Sequence, residues 1–112
     1  MNDWREREVG NETRSRELNE WIDESNEGPE AGVRSRFVCE CSDEACQSTI
    51  SLTHVEYEEV RAHGTAFAIA LDHESPDLDL MFSERIGFAI IRKLPGMPAR
   101  LAAASDPRRG GA

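Results

Sequence analysis

Residues 37–46 read FVCECSDEAC, and they contain every cysteine of this chain of 112 residues. Residues 49–52, TISL, alternate polar and apolar side chains, which is typical of a half-buried strand. Together with Phe37-Val38 on the near side, this run predicts a short hairpin whose turn holds the cysteines. Those cysteines are Cys39, Cys41 and Cys46.

The spacing of the cysteines favours a metal ion over a disulfide. Cys39 and Cys41 are separated by one residue, and two cysteines this close in the chain cannot form a disulfide unless the backbone turns sharply. Their number is odd, and residues 1–6 do not resemble an export signal. A turn rich in acidic residues, such as Glu40 and Asp43, is also too polar for a core. We therefore expect Zn²⁺, with a redox-sensing thiol cluster and inert buried cysteines as the alternatives.

A structural zinc site takes four ligands, so the three cysteines need one more. His73 is the favoured candidate, because it follows a strand that ends at Leu71 and, in a meander, returns beside the cysteine turn. His54 is the second candidate, and a site without a histidine ligand is the third. His63 is expected to face solvent at the end of a helix.

A helix is predicted directly after the hairpin. Thr53 and Glu56 have the spacing of a capping box, and Leu52 before the cap faces Tyr57 as a hydrophobic staple. Gly64 is the expected end of this helix. The predicted core face consists of Val55, Tyr57 and Val60, and the predicted solvent face of Glu58, Glu59 and Arg61.

Three further strands are predicted at residues 66–71, 78–82 and 88–91, with a turn near Arg85-Ile86-Gly87 before the last. These strands pair best as a meander. The first has a face of small alanines that a helix can approach closely, and we place the Thr53 helix there. The sequence thus predicts an α+β fold: a small antiparallel sheet, one or two packed helices and a zinc knuckle.

The amino-terminal segment is strongly acidic, with 10 acidic side chains against four arginines over residues 3–30. Leu18, Trp21 and Ile22 are spaced i, i+3, i+4, which predicts a helix over about residues 12–25 that ends at Gly28-Pro29. We expect this apolar stripe to pack on the domain. The alternative is a partner-binding helix.

These patterns divide the chain into three parts. Residues 1–34 form an acidic helical segment, and residues 35–94 form the zinc-stapled α+β domain. Residues 95–112 are expected to be a flexible tail, with a short helix over residues 99–104 as its one ordered element.

The overall charge limits the partners. The chain has 13 basic and 22 acidic side chains, a formal net charge of −9. This balance argues against free nucleic acid and anionic membranes, and it favours a protein partner with a basic surface. The longest apolar run, residues 66–71, is too short to span a bilayer, and we expect a cytoplasmic protein.

The chain resembles a family of small uncharacterised actinobacterial proteins with the patterns FVCECGD-x-x-C, ISLT-x-x-EYE-x-VR and GHE-x-P-E, followed by an aromatic strand ending in Lys. The matching residues are 37–46, 50–53, 56–61 and 73–76, so the resemblance covers about half of the chain. Leu71-Asp72 stands where the family has Pro-Gly. The resemblance implies no activity. It implies one recurring site of Cys39, Cys41, Cys46 and His73, with Glu74 and Pro76 shaping its turn.

Four protein ligands would close the metal site and leave no open position for a substrate. We therefore expect a non-enzymatic, zinc-stabilised protein-interaction module, with regulation as one form of that function. The alternative is a thiol-based redox sensor that releases zinc on oxidation. A third hypothesis is an accessory protein whose chemistry lies with a partner chain.

Overall fold

The computed structural model describes residues 4–25, 33–43 and 45–108. These residues form three helices and two small antiparallel sheets, which confirms the predicted α+β class. In chain order the elements are α1 (Trp4–Ser25), β1 (Arg34–Val38), β2 (Thr49–Thr53), α2 (His54–Arg61), β3 (Ala66–Ile69), β4 (Asp79–Glu84), β5 (Ala89–Lys93) and α3 (Met97–Ala104).

The predicted hairpin around the cysteines is present as β1 and β2. The two strands pair antiparallel, with Phe37 opposite Ile50 and Val38 opposite Thr49. The alternation of TISL makes β2 a half-buried strand, because Ile50 and Leu52 are buried whereas Thr49 and Ser51 face solvent. The turn that connects the two strands carries the cysteines.

The second sheet has the order β3-β5-β4, so its strands do not follow the predicted meander. The central strand, β5, is apolar on both faces: Ile90 packs into one core cluster and Ile91 into the other. A central strand must be apolar on both faces because both are covered. In contrast, β4 is an edge strand with a bulge between Met81 and Ser83, and an irregular edge resists pairing with other chains.

Two core layers cover the two faces of β3. On the first face, Ala66 and Ala68 contact the apolar cluster that includes Tyr57 and Val60 of α2, so the predicted position of this helix is confirmed. The opposite face carries larger side chains. There Phe67 and Ile69 pack with Val9 of α1 and Ala102 of α3.

The start of α2 is the predicted capping box: Thr53 accepts from the Glu56 backbone N–H, and the Glu56 side chain accepts from Thr53 N–H. The end of the helix differs from the prediction, since the last helical residue is Arg61 and not a residue next to Gly64. The core face also differs. Val55, which was predicted to face the core, is 53% exposed. Arg61, which was predicted to face solvent, is only 4% exposed, because its bond to Asp106 keeps the guanidinium buried.

α1 packs on the domain, but through a different face from the predicted one. Trp21 is 65% exposed and Leu18 46%, and only Ile22 of the predicted apolar stripe packs against the core. The predicted end at Gly28-Pro29 lies outside the described residues. The buried face of α1 follows the helical repeat with polar side chains: Glu12, Arg16, Asn19 and Asp23.

These buried polar groups have partners on the body of the protein. Arg16 donates to the backbone oxygens of Gly64 (2.7 Å) and Ala102 (2.8 Å), and its guanidinium lies 4.5 Å from the ring centre of Phe67. A buried charge is tolerated when it is hydrogen-bonded in this way. The prediction of the packed face was wrong because it counted only apolar residues.

The described end of the chain includes α3, which covers the helix predicted over residues 99–104 and begins two residues earlier. Beyond it, Asp106 is buried against Arg61, and Arg108 forms ion pairs with Glu20 and Glu58. The division into parts at residues 34 and 94, and the flexibility of the last part, stay predictions.

Candidate metal centre

The cysteine turn is shaped by its own backbone. Cys39 N–H donates to Ser48 O (3.0 Å), which extends the hairpin by one bond beyond β1 and β2. Inside the turn, Asp43 accepts twice, from Cys46 N–H at its backbone oxygen and from Ala45 N–H at its side chain. This second bond is an Asx turn, and it folds Cys46 back towards the other two cysteines.

His73 reaches the cysteines because β3 runs alongside them. Glu40 N–H donates to Ala68 O (2.9 Å), and Ala70 N–H donates to the Cys39 sulfur (3.2 Å). A tight turn after β3, with a bond from His73 N–H to Ala70 O, then directs the imidazole back. The return of this strand end beside the cysteines was predicted from a meander, but here the antiparallel β3–β5 pair and the Glu40 contact produce it.

The distances match a tetrahedral zinc site. The four candidate ligand atoms, from Cys39, Cys41, Cys46 and His73, all lie within 4.8 Å of one another. His73 Nδ1 is 3.5 Å from the Cys39 sulfur and 3.6 Å from the Cys46 sulfur. With Zn–S of about 2.3 Å and Zn–N of about 2.0–2.1 Å, tetrahedral angles place nitrogen and sulfur about 3.5 Å apart. The four residues are therefore positioned to bind a metal ion, and their donor set suits zinc.

The thiols are electrostatically prepared for a cation. A hydrogen bond from the Cys39 thiol lowers the pKa of Cys41 to about 5. That same bond, with burial, raises the pKa of Cys39 above its usual range. The two thiols thus share a proton, and a metal ion competes with that proton because the thiolate is the form that binds metal.

The other two histidines lie away from the cysteines. His54, the second candidate, is at the start of α2, where its Nδ1 is 2.7 Å from Asp23 Oδ1 of α1. His63 is exposed, as expected, with its ring centre 6.2 Å from that of Phe82. Within the described residues, only His73 joins the cysteine cluster.

A second group could also hold a metal ion by distance alone: Asp23, His54 and Glu58. A side-chain cation already neutralises part of this group: the Arg108 guanidinium donates to both oxygens of Glu58, at 3.1 and 2.7 Å. These bonds lower the pKa of Glu58. The sequence analysis missed this group, and its members are too far apart in the chain to form a recognisable motif.

Glu40 was interpreted as part of a polar turn, and in the structure it is fully buried. Burial raises the pKa of Glu40 to about 6, and bonds from the Asn19 amide and Ala68 N–H act in the opposite direction. The cysteine turn therefore contains a buried carboxylate between two of the candidate ligands. The sequence gives no signal for this burial, because the partners of Glu40, Asn19 and Ala68, are distant in the chain.

A surface cavity of about 250 Å³ lies beside the cluster and is lined in part by Cys41, Asp72 and His73.

Within the described residues, no helix has the length and apolar character needed to cross a membrane. No family model, curated protein or solved structure matches the chain. The resemblance to the actinobacterial family stays a prediction.

Proposed function

We propose that the chain is a zinc-stabilised protein-interaction module and not an enzyme. The observation that carries this proposal is the convergence of three thiols and one imidazole within 4.8 Å. Four protein ligands complete the tetrahedron of a structural zinc ion and leave no position for a substrate or a reactive water. The metal then stabilises the fold, because the site joins the β1–β2 turn to the loop after β3.

The zinc part of the proposal is tested by elemental analysis. Protein purified without chelators should carry one zinc per chain, and Cys41→Ser should lose both the zinc and the cooperative unfolding transition. Ser42→Ala is the matched control in the same turn and should keep both. Wild-type protein without zinc, or a Cys41→Ser variant that keeps it, would contradict the proposal.

The interaction part rests on the outward face of α1. Leu18 is 46% and Trp21 65% exposed on this face, and the exposed acidic residues Glu17 and Glu24 lie on either side of them. Exposed tryptophan is typical of interface anchors. The acidic flanks and the net charge of −9 complement a basic surface. The occupant we propose is thus a basic protein surface with an apolar pocket for Trp21.

This surface is tested with a photo-crosslinking amino acid placed at Trp21, in cells of the native host. A different protein of the host should crosslink at this position, and the double variant Glu17→Lys, Glu24→Lys should abolish the crosslinked product. The same amino acid at Ile86, which is 95% exposed in the β4–β5 turn, is the control. Crosslinking to a second copy of the chain, or a product that survives the charge reversal, would contradict the proposal.

A thiol-based redox sensor is the second candidate function, and the cavity beside Cys41 favours it because a small oxidant could enter there. In that reaction hydrogen peroxide takes two electrons from two thiolates, an S–S bond forms, and the O–O bond breaks. With two protons the oxygens leave as water, and the zinc is released. Retention of zinc after one equivalent of peroxide supports the module; release that a dithiol reverses supports the sensor.

A further inference from the structure

The inner face of α1 holds the segment that carries the cysteines. Asn19 is fully buried and its amide pairs with the backbone of Val38 in both directions. Asn19 Nδ2 donates to Val38 O at 2.8 Å, and Val38 N–H donates to Asn19 Oδ1 at 2.9 Å. The Asn19 amide thus makes the two hydrogen bonds with Val38 that the backbone of a neighbouring strand would otherwise make. Val38 directly precedes the candidate ligand Cys39.

The same amide reaches the residue between the two ligands. Asn19 Nδ2 also donates to Glu40 Oε2 at 2.7 Å, and the other carboxylate oxygen accepts from Ala68 N–H at 2.9 Å. Glu40 is therefore held by α1 on one side and by β3 on the other. Because Glu40 lies between Cys39 and Cys41, holding its side chain restrains the backbone from which both ligands project.

A third contact lies beyond the second ligand. Asn11, two turns before Asn19 on α1, donates from Nδ2 to Ser42 O at 3.1 Å. The helix consequently holds residues 38, 40 and 42, which alternate with the ligands at 39 and 41. In an extended segment, successive side chains point to opposite sides. The side chains of Cys39 and Cys41 face the metal site, and the Glu40 side chain between them faces α1.

From this alternation we infer that α1 is the outer layer of the metal site and that Asn19 is a positioning residue for it. The inference rests on the proposed zinc site. Outer groups that orient ligands commonly change metal affinity 10- to 100-fold when they are removed. Linkage makes the effect reciprocal: if docked α1 strengthens zinc binding, bound zinc strengthens the docking of α1 on the domain.

The test is zinc affinity, measured in the full chain by competition with a chromophoric chelator. Asn19→Ala removes all three bonds and should weaken zinc binding 10- to 100-fold. Asn11→Ala removes one bond to the segment and should have a smaller effect in the same direction, and it keeps the test decisive if Asn19→Ala does not fold. Arg7→Ala, at an exposed position of the same helix, is the control and should bind as wild type.

A second measurement separates positioning from general loss of stability. With Co²⁺ in place of zinc, the ligand-field bands report the geometry of the bound metal, and they should shift in Asn19→Ala and not in Arg7→Ala. Unchanged affinity and spectrum in both asparagine variants would overturn this inference and leave the zinc site standing. A wild-type chain that binds no metal would overturn both.

Discussion

Lys93 Nζ of β5 lies 2.6 Å from Glu12 Oε2 of α1, and both side chains are inaccessible to solvent. Asp79 of β4 bonds to the same ammonium group, so two carboxylates share one cation. The pKa of Glu12 is raised to about 8, mainly by burial and to a smaller extent by the charges of Asp79 and Cys41. Lys93 acts in the opposite direction and lowers this pKa. Burial therefore favours the protonated form of Glu12 more than in an exposed carboxyl group.

Glu12 should make the folded state less stable as pH rises. Its pKa is about 8 in the folded protein against 4.5 as the ordinary value, so between these values the folded state binds a proton that the unfolded state has lost. The free energy of unfolding then decreases with pH across this range. We expect Glu12→Gln to show a weaker decrease than wild type between pH 6 and pH 8.

Urea unfolding at saturating zinc, repeated at several pH values, measures this difference. All other ionisable side chains are the same in the two proteins, so the comparison isolates Glu12. Glu24→Gln, on an exposed position of the same helix, should behave as wild type. Parallel pH profiles for Glu12→Gln and wild type would show that Glu12 is ionised in the fold.

The three histidines should contribute unequally to metal binding. His73→Ala leaves three thiolates, and water can take the fourth position, so zinc affinity should fall about 10-fold or more. His63→Ala is exposed and should change affinity less than about twofold. His54→Ala should likewise keep the zinc, because its partner is Asp23. Equal affinity in the His73 and His63 variants would remove His73 from the ligand set.

The turn that presents His73 contains a residue in an unfavourable conformation. Asp72 has φ of 67°, in the left-handed region that favours glycine. We expect Asp72→Gly to raise the free energy of unfolding by up to about 1 kcal/mol, and Asp72→Val to lower it by more than about 1 kcal/mol. Zinc affinity should follow the same order.

Chemical denaturation of these variants checks the prediction at equal zinc. Asp77→Gly, at an exposed position in the following loop, is the control and should be slightly destabilising, because glycine adds entropy to the unfolded chain. A glycine at position 72 that destabilises as much as one at position 77 would contradict it.

Two neighbouring residues of α1 should differ sharply in their effect on stability. Ile22 packs against the core, so Ile22→Ala should lower the free energy of unfolding by about 1–2 kcal/mol. Trp21→Ala removes a larger side chain that is 65% exposed, and the change should stay within about 0.5 kcal/mol. Thermal unfolding of both variants decides this. A larger loss in Trp21→Ala would show that the indole packs on the domain.

The sequence predicted what depends on short-range rules. The capping box at Thr53 and the alternation of residues 49–52 need only neighbouring residues, and both are as predicted. The cysteine cluster is also local, since its three thiols lie in one turn. The choice of His73 required a long-range assumption; the strand end does return to the cysteines, although β5 takes the central place in the sheet.

The inner face of α1 could not be predicted from apolar periodicity. Residues 12, 16, 19 and 23 have the spacing of one helix face, but all four are polar or charged and their partners are distant in the chain. Lys93, the partner of Glu12, is 81 residues away. A polar helix face is usually solvated, and only the tertiary structure supplies the partners that make burial possible.

The polar inner face of α1 also affects how the protein responds to temperature. Exposure of apolar surface raises the heat capacity by about 0.45 cal/K/mol per Å², while exposure of polar surface lowers it by about 0.26. Detaching α1 exposes both kinds of surface, so its heat capacity change should be small. Separating the two faces of β3 from their apolar partners should give a large heat capacity change. On cooling, the apolar layers lose strength while the attachment of α1 changes little, and the helix becomes a relatively larger part of what holds the fold together.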